Sequence, residues 1–139
     1  MRTLFTATIP NSSDISDELV TLHLFADLLL EMELEMRRLG LWESEPPTRE
    51  ALSSQLPFCR DTLRFEQWLQ WVLLPKMREI VQSNSGWPRQ SEIYDLAMER
   101  FGQLHLDSER LAYHIGTFDA LIAEQALDQS AAGFARCVA

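Results

Sequence analysis

Hydrophobic residues recur at helical spacing in four segments of this chain, and no segment shows the sustained alternation that is typical of a strand. The first predicted helix begins near residue 13, with Ser13 or Asp14 as its N-cap. It ends at Gly40, after which Leu41 can pack back on Met36 as in a Schellman motif. The predicted apolar face of this helix is Ile15, Leu19, Leu22, Ala26 and Leu29, flanked by Phe25, Met32 and Met36.

The bulkiest apolar segment lies near the middle of the chain. It contains Trp68 and Trp71, followed by three consecutive aliphatic residues and Pro75. A helix that is apolar around most of its circumference is usually buried on several sides. We therefore expect a central helix here, capped by Asp61 or Thr62. Pro75 lacks the amide that would bond to the Trp71 carbonyl, and this predicts a kink.

Two further helices are predicted after a break at 84–88. One covers about 90–101 and ends at Gly102, and the last is capped by Asp107 or Ser108. Gly116 lies inside the last helix, where it either costs helix stability or marks a close contact with another helix. The residues expected to face the core are Ile93, Ala97, Phe101, Leu111, Ile115, Phe118 and Ile122.

These elements predict an all-α fold, a four-helix bundle with a Pro-kinked central helix and irregular tails. A single domain is expected at 13–127, between flexible tails at 1–12 and 128–139. The connection at 42–61 is long for a compact domain, so we expect apolar side chains to anchor it. The candidate anchors are Trp42, Leu52, Leu56 and Phe58.

Composition adds limits on the partners. The chain has 139 residues, of which 46% are hydrophobic, enough for a well-formed core. Its formal net charge of −9 disfavours broad binding to nucleic acid. The charge is uneven: residues 14–45 carry nine acids and two arginines, a net of −7, whereas 56–91 carry five bases and three acids, a net of +2. A small basic patch is therefore expected near the centre of the chain.

The predicted location is the cytoplasm. Two cysteines, Cys59 and Cys137, are too few for a disulfide framework and fit a reducing compartment. The first residues form a poor secretory signal, and no apolar run approaches the ~18 residues of a membrane span. We therefore expect no membrane association.

Several residues between 56 and 77 form a distinctive pattern with long spacing. It comprises Pro57-Phe58, Asp61-Thr62, Trp68-Leu69-Gln70-Trp71-Val72 and Pro75-Lys76-Met77. This pattern resembles the YqcC-like family of small bacterial proteins, and the similarity extends over about residues 18–125. The resemblance implies a compact helical bundle without an assigned activity. It also implies a genomic link, since some family members are encoded beside a tRNA pseudouridine synthase.

One row of polar residues could suggest a metal site. His23, Asp27, Glu31 and Glu35 recur every four residues on the first helix, and a hard cation could bind between two carboxylates. Amphipathicity alone also predicts a solvated polar row, and no second helix supplies matching ligands. The sequence has no zinc spacing and no glycine-rich phosphate loop. We therefore predict no metal and no cofactor.

The residues capable of nucleophilic or acid–base catalysis form no recognisable motif. Cys59 is not linked by any local motif to His105 or His114, and we expect it to be a buried structural thiol. His114 is expected at the boundary of an apolar face. The sequence therefore predicts a protein that is not an enzyme.

The leading hypothesis is a protein-interaction module that uses the aromatic, proline and basic residues of 56–77. Partly exposed tryptophan beside proline would form a groove for a peptide or helix, and Arg60, Arg64, Lys76 and Arg78 could attract an acidic partner. Alternatives are an RNA-associated accessory factor for a tRNA-modifying enzyme, and a small-molecule or enzymatic role that the sequence does not reveal. The expected partner is an unidentified protein, with a second copy of the chain kept as an option. The candidate interaction residues are Pro57, Phe58, Asp61, Trp68, Gln70, Trp71, Pro75, Lys76 and Met77.

Overall fold

The computed structural model describes the backbone of residues 12–132 and the side chains of residues 17–128. Within those residues every regular element is helical and no strand occurs, so the predicted all-α fold is confirmed. The predicted caps Ser13 and Asp14, and also Ile15 and Cys137, lie outside the described side chains. The predicted tails at 1–12 and 128–139 fall mostly outside the described residues and stay predictions.

The elements follow one another in a simple order. They are α1 (Ser12–Arg38), α2 (Arg49–Leu52), a 3-10 turn (Pro57–Cys59), α3 (Phe65–Trp68), a π-helical turn (Leu69–Leu73), α4 (Leu74–Ser83), α5 (Tyr94–Leu104) and α6 (Glu109–Ala132). The segments α3, the π-helical turn and α4 run on without a break and together form the central helix, residues 65–83. The last helix, α6, continues past the predicted end at 127.

The end of α1 matches the predicted Schellman motif. Gly40 has a φ of 74°, the left-handed conformation that glycine adopts without penalty. The Leu41 amide donates to the Met36 carbonyl at 2.9 Å, and the partly buried Leu41 side chain packs against the core to which Met36 belongs. This ending directs the following loop across the central helix.

The predicted apolar face of α1 is wrong in part. Leu29 is buried as expected, but Leu19 is 51% exposed and Ala26 is also exposed. Leucines occur on every side of this helix, so the periodicity alone does not identify the side that packs against α6 and α4. The buried apolar residues of α1 are Phe25, Leu28, Leu29, Met32 and Met36.

The predicted caps of the central helix are also wrong. The helix begins later than expected, with Arg64 in the N-cap position, and the Arg64 amide donates to Gln67 Oε1 at 2.9 Å. Asp61 and Thr62 instead lie in a preceding turn, where the Thr62 amide donates to the Cys59 carbonyl at 2.9 Å. Asp61, expected as the N-cap of this helix, therefore belongs to a separate turn.

The backbone hydrogen-bond pattern of the central helix changes immediately before Pro75. The Leu74 amide donates to the Leu69 carbonyl, five residues back, which defines the π-helical turn. Pro75 follows as the second residue of α4, inside the continuous central helix, where it has no amide to donate to the Trp71 carbonyl. The predicted kink stays a prediction, but its expected cause, an interrupted hydrogen-bond ladder, occurs at this point.

The shorter helix α5 begins and ends later than predicted. Gly102 lies inside it, and His105, with a φ of 54°, occupies the left-handed C-cap position. Gly116 in α6 marks a close helix contact, because an added Cβ would lie 3.2 Å from Tyr94 Cδ1. All seven residues predicted to face the core from these two helices are buried: Ile93, Ala97, Phe101, Leu111, Ile115, Phe118 and Ile122.

The central helix packs against α1 and α5. α1 packs along α6 and against α4, while α5 packs against α6 and α3. In the connection at 42–61, Trp42 and Phe58 pack against the core as predicted. Leu52 and Leu56 are exposed, so they do not anchor it. Among the described residues, no helix has the length and apolar character that a membrane span requires.

Candidate functional site

Gln70, a buried polar residue of the central helix, holds the loop that follows α1. Gln70 is only 3% exposed. Its Oε1 accepts from the Glu43 amide at 2.8 Å, and its Nε2 donates to the Glu43 carbonyl at 2.7 Å. A buried amide side chain is stable when its polar atoms are paired. Gln70 therefore fixes the backbone position of Glu43.

The side chain of Glu43 is held by a second set of contacts from the central helix. Its carboxylate accepts from Arg64 Nη2 at 2.6 Å and from Gln67 Nε2 at 3.3 Å. The Trp71 indole Nε1 donates to the same carboxylate at 3.4 Å. Glu43 thus orients Trp71 and links it to Arg64.

A surface groove of about 610 Å³ opens beside these contacts. We name it the Trp42–Trp71 groove. Its walls are formed by the aromatic rings of Trp42 and Trp71 and by the ring of Pro75. The remaining lining residues are Arg37, Glu43, Ser44, Gln70 and Arg78.

The two arginines of the groove are held in place from α1. The Arg37 guanidinium lies over the Trp42 ring, 4.7 Å from its centroid, and Arg37 Nε donates to Glu33 at 2.9 Å. Arg78 donates to the same Glu33 carboxylate across the interface between α1 and α4. The groove therefore combines exposed cations with aromatic faces, a combination enriched at binding hot spots.

The structure divides the sequence-predicted site residues into two groups. Gln70, Trp71 and Pro75 line the groove, and Lys76 is exposed next to Pro75. Met77 is 1% exposed and belongs to the core. Neither Lys76 nor Met77 lines the groove.

The second group lies around Trp68. Its ring meets Phe58 edge-on with a centroid distance of 4.9 Å, and Phe65 lies 6.0 Å away. Pro57 is exposed at the start of the 3-10 turn, and Asp61 accepts from the Ser54 hydroxyl within the connection. These residues organise the connection at 42–61 and do not line the groove.

The groove residues that the sequence interpretation missed are Arg37, Glu43 and Ser44, and for Trp42 it predicted only an anchoring role. All four come from the end of α1 and the loop after it. One signal could have indicated their position: a glutamine among large apolar residues needs a polar partner from elsewhere in the chain. The sequence does not say which loop supplies that partner.

An ion-pair network lies close to the Phe65 end of the central helix. Glu66 is 6% exposed and accepts from Arg100 Nε at 2.9 Å and Arg100 Nη2 at 3.0 Å. Burial raises the pKa of Glu66, but the hydrogen bonds from Arg100 and the charges of Arg100 and Arg64 outweigh it and hold that pKa below its usual value. This network joins α3 to α5.

The metal and nucleophile alternatives gain no support from the described residues. That part of the chain contains no cluster of three or more histidine, cysteine or acidic residues suited to a metal ion. Glu35, predicted to be solvated, is buried and accepts from Arg38 Nε at 2.9 Å. Cys59 is buried as predicted, at 8% exposure. His114 Nε2 lies 3.9 Å from Glu31.

A second groove of about 710 Å³ lies between α5 and α6. Tyr94, Met98 and Tyr113 contribute to its walls, and Tyr113 is strongly exposed. Acidic residues at its rim, Asp107 and Glu109, distinguish it from the arginine-containing groove. It therefore provides a comparison surface with aromatic residues and no arginine.

Comparison with known proteins gives a consistent family assignment. An uncharacterised protein of Haemophilus influenzae is 38% identical over 79 residues, which cover 55% of this chain and 74% of that protein. The uncharacterised protein YqcC of Escherichia coli is 27% identical over 101 residues, 70% of this chain and 90% of that protein. No solved structure matches the chain significantly.

A third relative is much longer. A protein of Pectobacterium carotovorum named tRNA pseudouridine synthase C is 39% identical over 72 residues, 52% of this chain but only 19% of that protein. The chain thus corresponds to about a fifth of that relative. The DUF446 family model, described as tRNA pseudouridine synthase C, matches residues 24–121. The chain therefore belongs to the DUF446 family, whose relatives include the uncharacterised YqcC protein.

Proposed function

We propose that the chain is a non-enzymatic protein-interaction module and that the Trp42–Trp71 groove is its docking surface. The observation that carries this proposal is the preorganised wall of the groove. Gln70 pairs with both backbone polar groups of Glu43, and the Glu43 carboxylate accepts from the indole of Trp71. A side chain already held in position loses less conformational entropy on binding.

The chemistry of the groove favours an acidic partner segment with an apolar or aromatic anchor. Trp42, Trp71 and Pro75 offer the apolar surface. Arg37 and Arg78 share one carboxylate, that of Glu33, so the pair carries more positive charge than its partner neutralises. An acidic segment would therefore be attracted here, although the chain as a whole carries a net charge of −9.

The partner class that we propose is a tRNA pseudouridine synthase. The support is a relative from Pectobacterium carotovorum named tRNA pseudouridine synthase C. This protein contains a segment similar to 72 residues of this chain. Two modules joined in one chain meet at a high effective concentration. We propose that this chain meets the synthase as a separate protein, and it would therefore need a binding surface for it. The cytoplasm is the proposed location of this encounter.

The same proposal includes a four-helix bundle architecture bent at Pro75. The π-helical turn directly before the proline supports it, because irregular hydrogen bonding is a common origin of helix bends. The turn contains both Gln70 and Trp71, and π-helical turns occur frequently at functional sites. Pro75 and Arg78, which follow this turn, line the groove together with Glu43.

Titration calorimetry between this chain and the purified tRNA pseudouridine synthase of the same organism tests the proposal. We expect a dissociation constant of about 1–100 µM. Trp71→Ala should weaken binding by at least about tenfold, since it removes a central aromatic contact. Arg78→Glu should weaken it by a similar factor and reduce its dependence on salt.

Matched variants outside the groove are Tyr113→Ala, which removes a more exposed aromatic ring, and Arg49→Glu, which makes the same change of charge in α2. Both should bind like the unmodified chain. Circular dichroism establishes that each variant is folded. Absence of heat with the synthase, or equal losses in the groove variants and their controls, would contradict the proposal.

A second candidate function is association with RNA, favoured by the name of the Pectobacterium carotovorum relative and by the tryptophan and arginine residues of the groove. Aromatic rings beside cations can stack single-stranded bases and contact phosphates. Filter binding with tRNA alone at low ionic strength tests this alternative. Retention that falls steeply with added salt and is lost in Arg37→Glu would favour it. Equal retention with and without this chain would end it.

A further inference from the structure

The solvent-facing side of α1 carries aliphatic side chains that no described part of the chain covers. Five of them are between 48% and 54% exposed: Leu19, Val20, Leu24, Leu30 and Leu34. None of the five lines the Trp42–Trp71 groove. Single exposed leucines are common on protein surfaces, but a series of them on one side of one helix is typical of an interaction site.

Polar residues cross this side, and the last of them, Glu31, lies 3.9 Å from His114 of α6. Residues four apart lie one above the other on a helix, so His23, Asp27 and Glu31 form one row. Val20 and Leu24 lie on one side of this row, toward its His23 end, and Leu30 and Leu34 lie on the other side, toward its Glu31 end. We name this arrangement the α1 outer face: a polar row, acidic at Asp27 and Glu31, with one aliphatic pair on each side.

The arrangement specifies the chemistry of its occupant. We infer that the α1 outer face binds an amphipathic helix of another protein in which a row of lysine or arginine lies between aliphatic residues. Its cations would meet Asp27 and Glu31, and its aliphatic residues would cover the exposed leucines. A second copy of this chain would bring carboxylates against carboxylates, and an anionic lipid surface would meet the same repulsion. Charge therefore favours a basic partner helix over both.

The test uses a synthetic helical peptide of about 18 residues, with lysine every fourth residue between two rows of leucine. A peptide with glutamate in place of each lysine is its control. Fluorescence anisotropy should show binding of the lysine peptide and much weaker binding of the glutamate peptide. NMR shifts should change chiefly at residues 19–34.

Variants with equal changes of net charge separate a local site from general attraction to an acidic protein. Asp27→Lys combined with Glu31→Lys should weaken binding by at least about tenfold. The control combines Glu99→Lys with Glu124→Lys, which are exposed on α5 and α6, and should stay within about twofold of the unmodified chain. Equal losses in the two double variants would overturn the inference.

The aliphatic residues need a control outside this face. Leu30→Gln combined with Leu34→Gln should weaken peptide binding by at least about tenfold, whereas Leu127→Gln, at 71% exposure on α6, should have little effect. Sedimentation velocity of the unmodified chain tests whether a second copy of the chain binds this face instead. Self-association that Leu30→Gln abolishes would assign this face to a second copy and overturn the proposal of a basic partner.

Discussion

Asp119 of α6 caps a helix to which it does not belong. Its Oδ2 accepts hydrogen bonds from the Tyr94 amide at 2.9 Å and the Ile93 amide at 3.0 Å, at the start of α5. Its Oδ1 accepts from the Ser91 hydroxyl at 2.6 Å. The residue at the N-cap, Ile93, has no side chain that could do this. One carboxylate therefore both starts α5 and fixes it against α6.

Replacing this capping carboxylate should destabilise the fold. We expect Asp119→Ala to lower the free energy of unfolding by about 1–2 kcal/mol, because it leaves helix amides without their acceptor. Urea denaturation followed by circular dichroism measures the change. Asp95→Ala removes an exposed acid from the first turn of the same helix and should cost only about 0.5 kcal/mol. Equal losses would show that Asp119 acts through its charge alone.

Loss of the Gln70 amide should be more costly than loss of other glutamines. Gln70→Ala would leave the amide and carbonyl of Glu43 without partners and create a void, so we expect a loss of about 2–4 kcal/mol. Gln82→Ala, at an exposed position of α4, should change stability by less than about 0.5 kcal/mol. Amide hydrogen exchange should also accelerate at Glu43 in the Gln70 variant. Unchanged exchange there would contradict the assigned role.

Stability should depend on pH through Glu66. Its pKa is held below the usual value of 4.5, so its contribution is present above that pH and is lost as the pH falls through the lowered pKa. At pH 7, Glu66→Gln should be less stable than the unmodified chain by about 1.5–3 kcal/mol, because Arg100 loses a charged acceptor. This difference should shrink as the pH is lowered below about 4.5. Denaturation curves at several pH values measure it, with Glu79→Gln at an exposed site as control.

The two tryptophans should respond differently to truncation. Trp68 packs against Phe58 and Phe65 at the core, so Trp68→Ala should cost about 3–5 kcal/mol. Trp71 faces the groove, and Trp71→Ala should cost about 1–2 kcal/mol. Guanidinium denaturation of both variants gives the comparison. A larger loss for Trp71 than for Trp68 would mean that the groove wall is part of the core.

The buried sides of α5 and α6 could be predicted because only one side of each helix carries a regular series of large apolar residues there. The same reasoning was wrong in part for α1, where Leu19 and Ala26, expected on the apolar face, are exposed, and Leu28, not expected there, is buried. Because leucines lie on all sides of α1, the hydrophobic pattern does not indicate which side faces the core. Packing against α6 and α4 decides the orientation of α1, and neither contact is visible in a local pattern.

The candidate site was predictable only where its residues are close in sequence. Gln70, Trp71 and Pro75 belong to one segment, and a resemblance to a known family drew attention to them. Glu43 comes from a different part of the chain, and its pairing with Gln70 depends on the Schellman ending of α1. Local patterns do not reveal which distant loop satisfies a buried amide.

The wide turn at Leu69–Leu73 accommodates one residue more than an ordinary helical turn. A deletion of one residue there would turn the bond from the Leu74 amide to the Leu69 carbonyl into an ordinary α-helical bond. The helix after the turn would keep its orientation, so Met77 and Ile80 would stay in the interior. The deletion would instead change the positions of Gln70 and Trp71, which lie inside the turn. The wide turn therefore affects the groove wall more than the core.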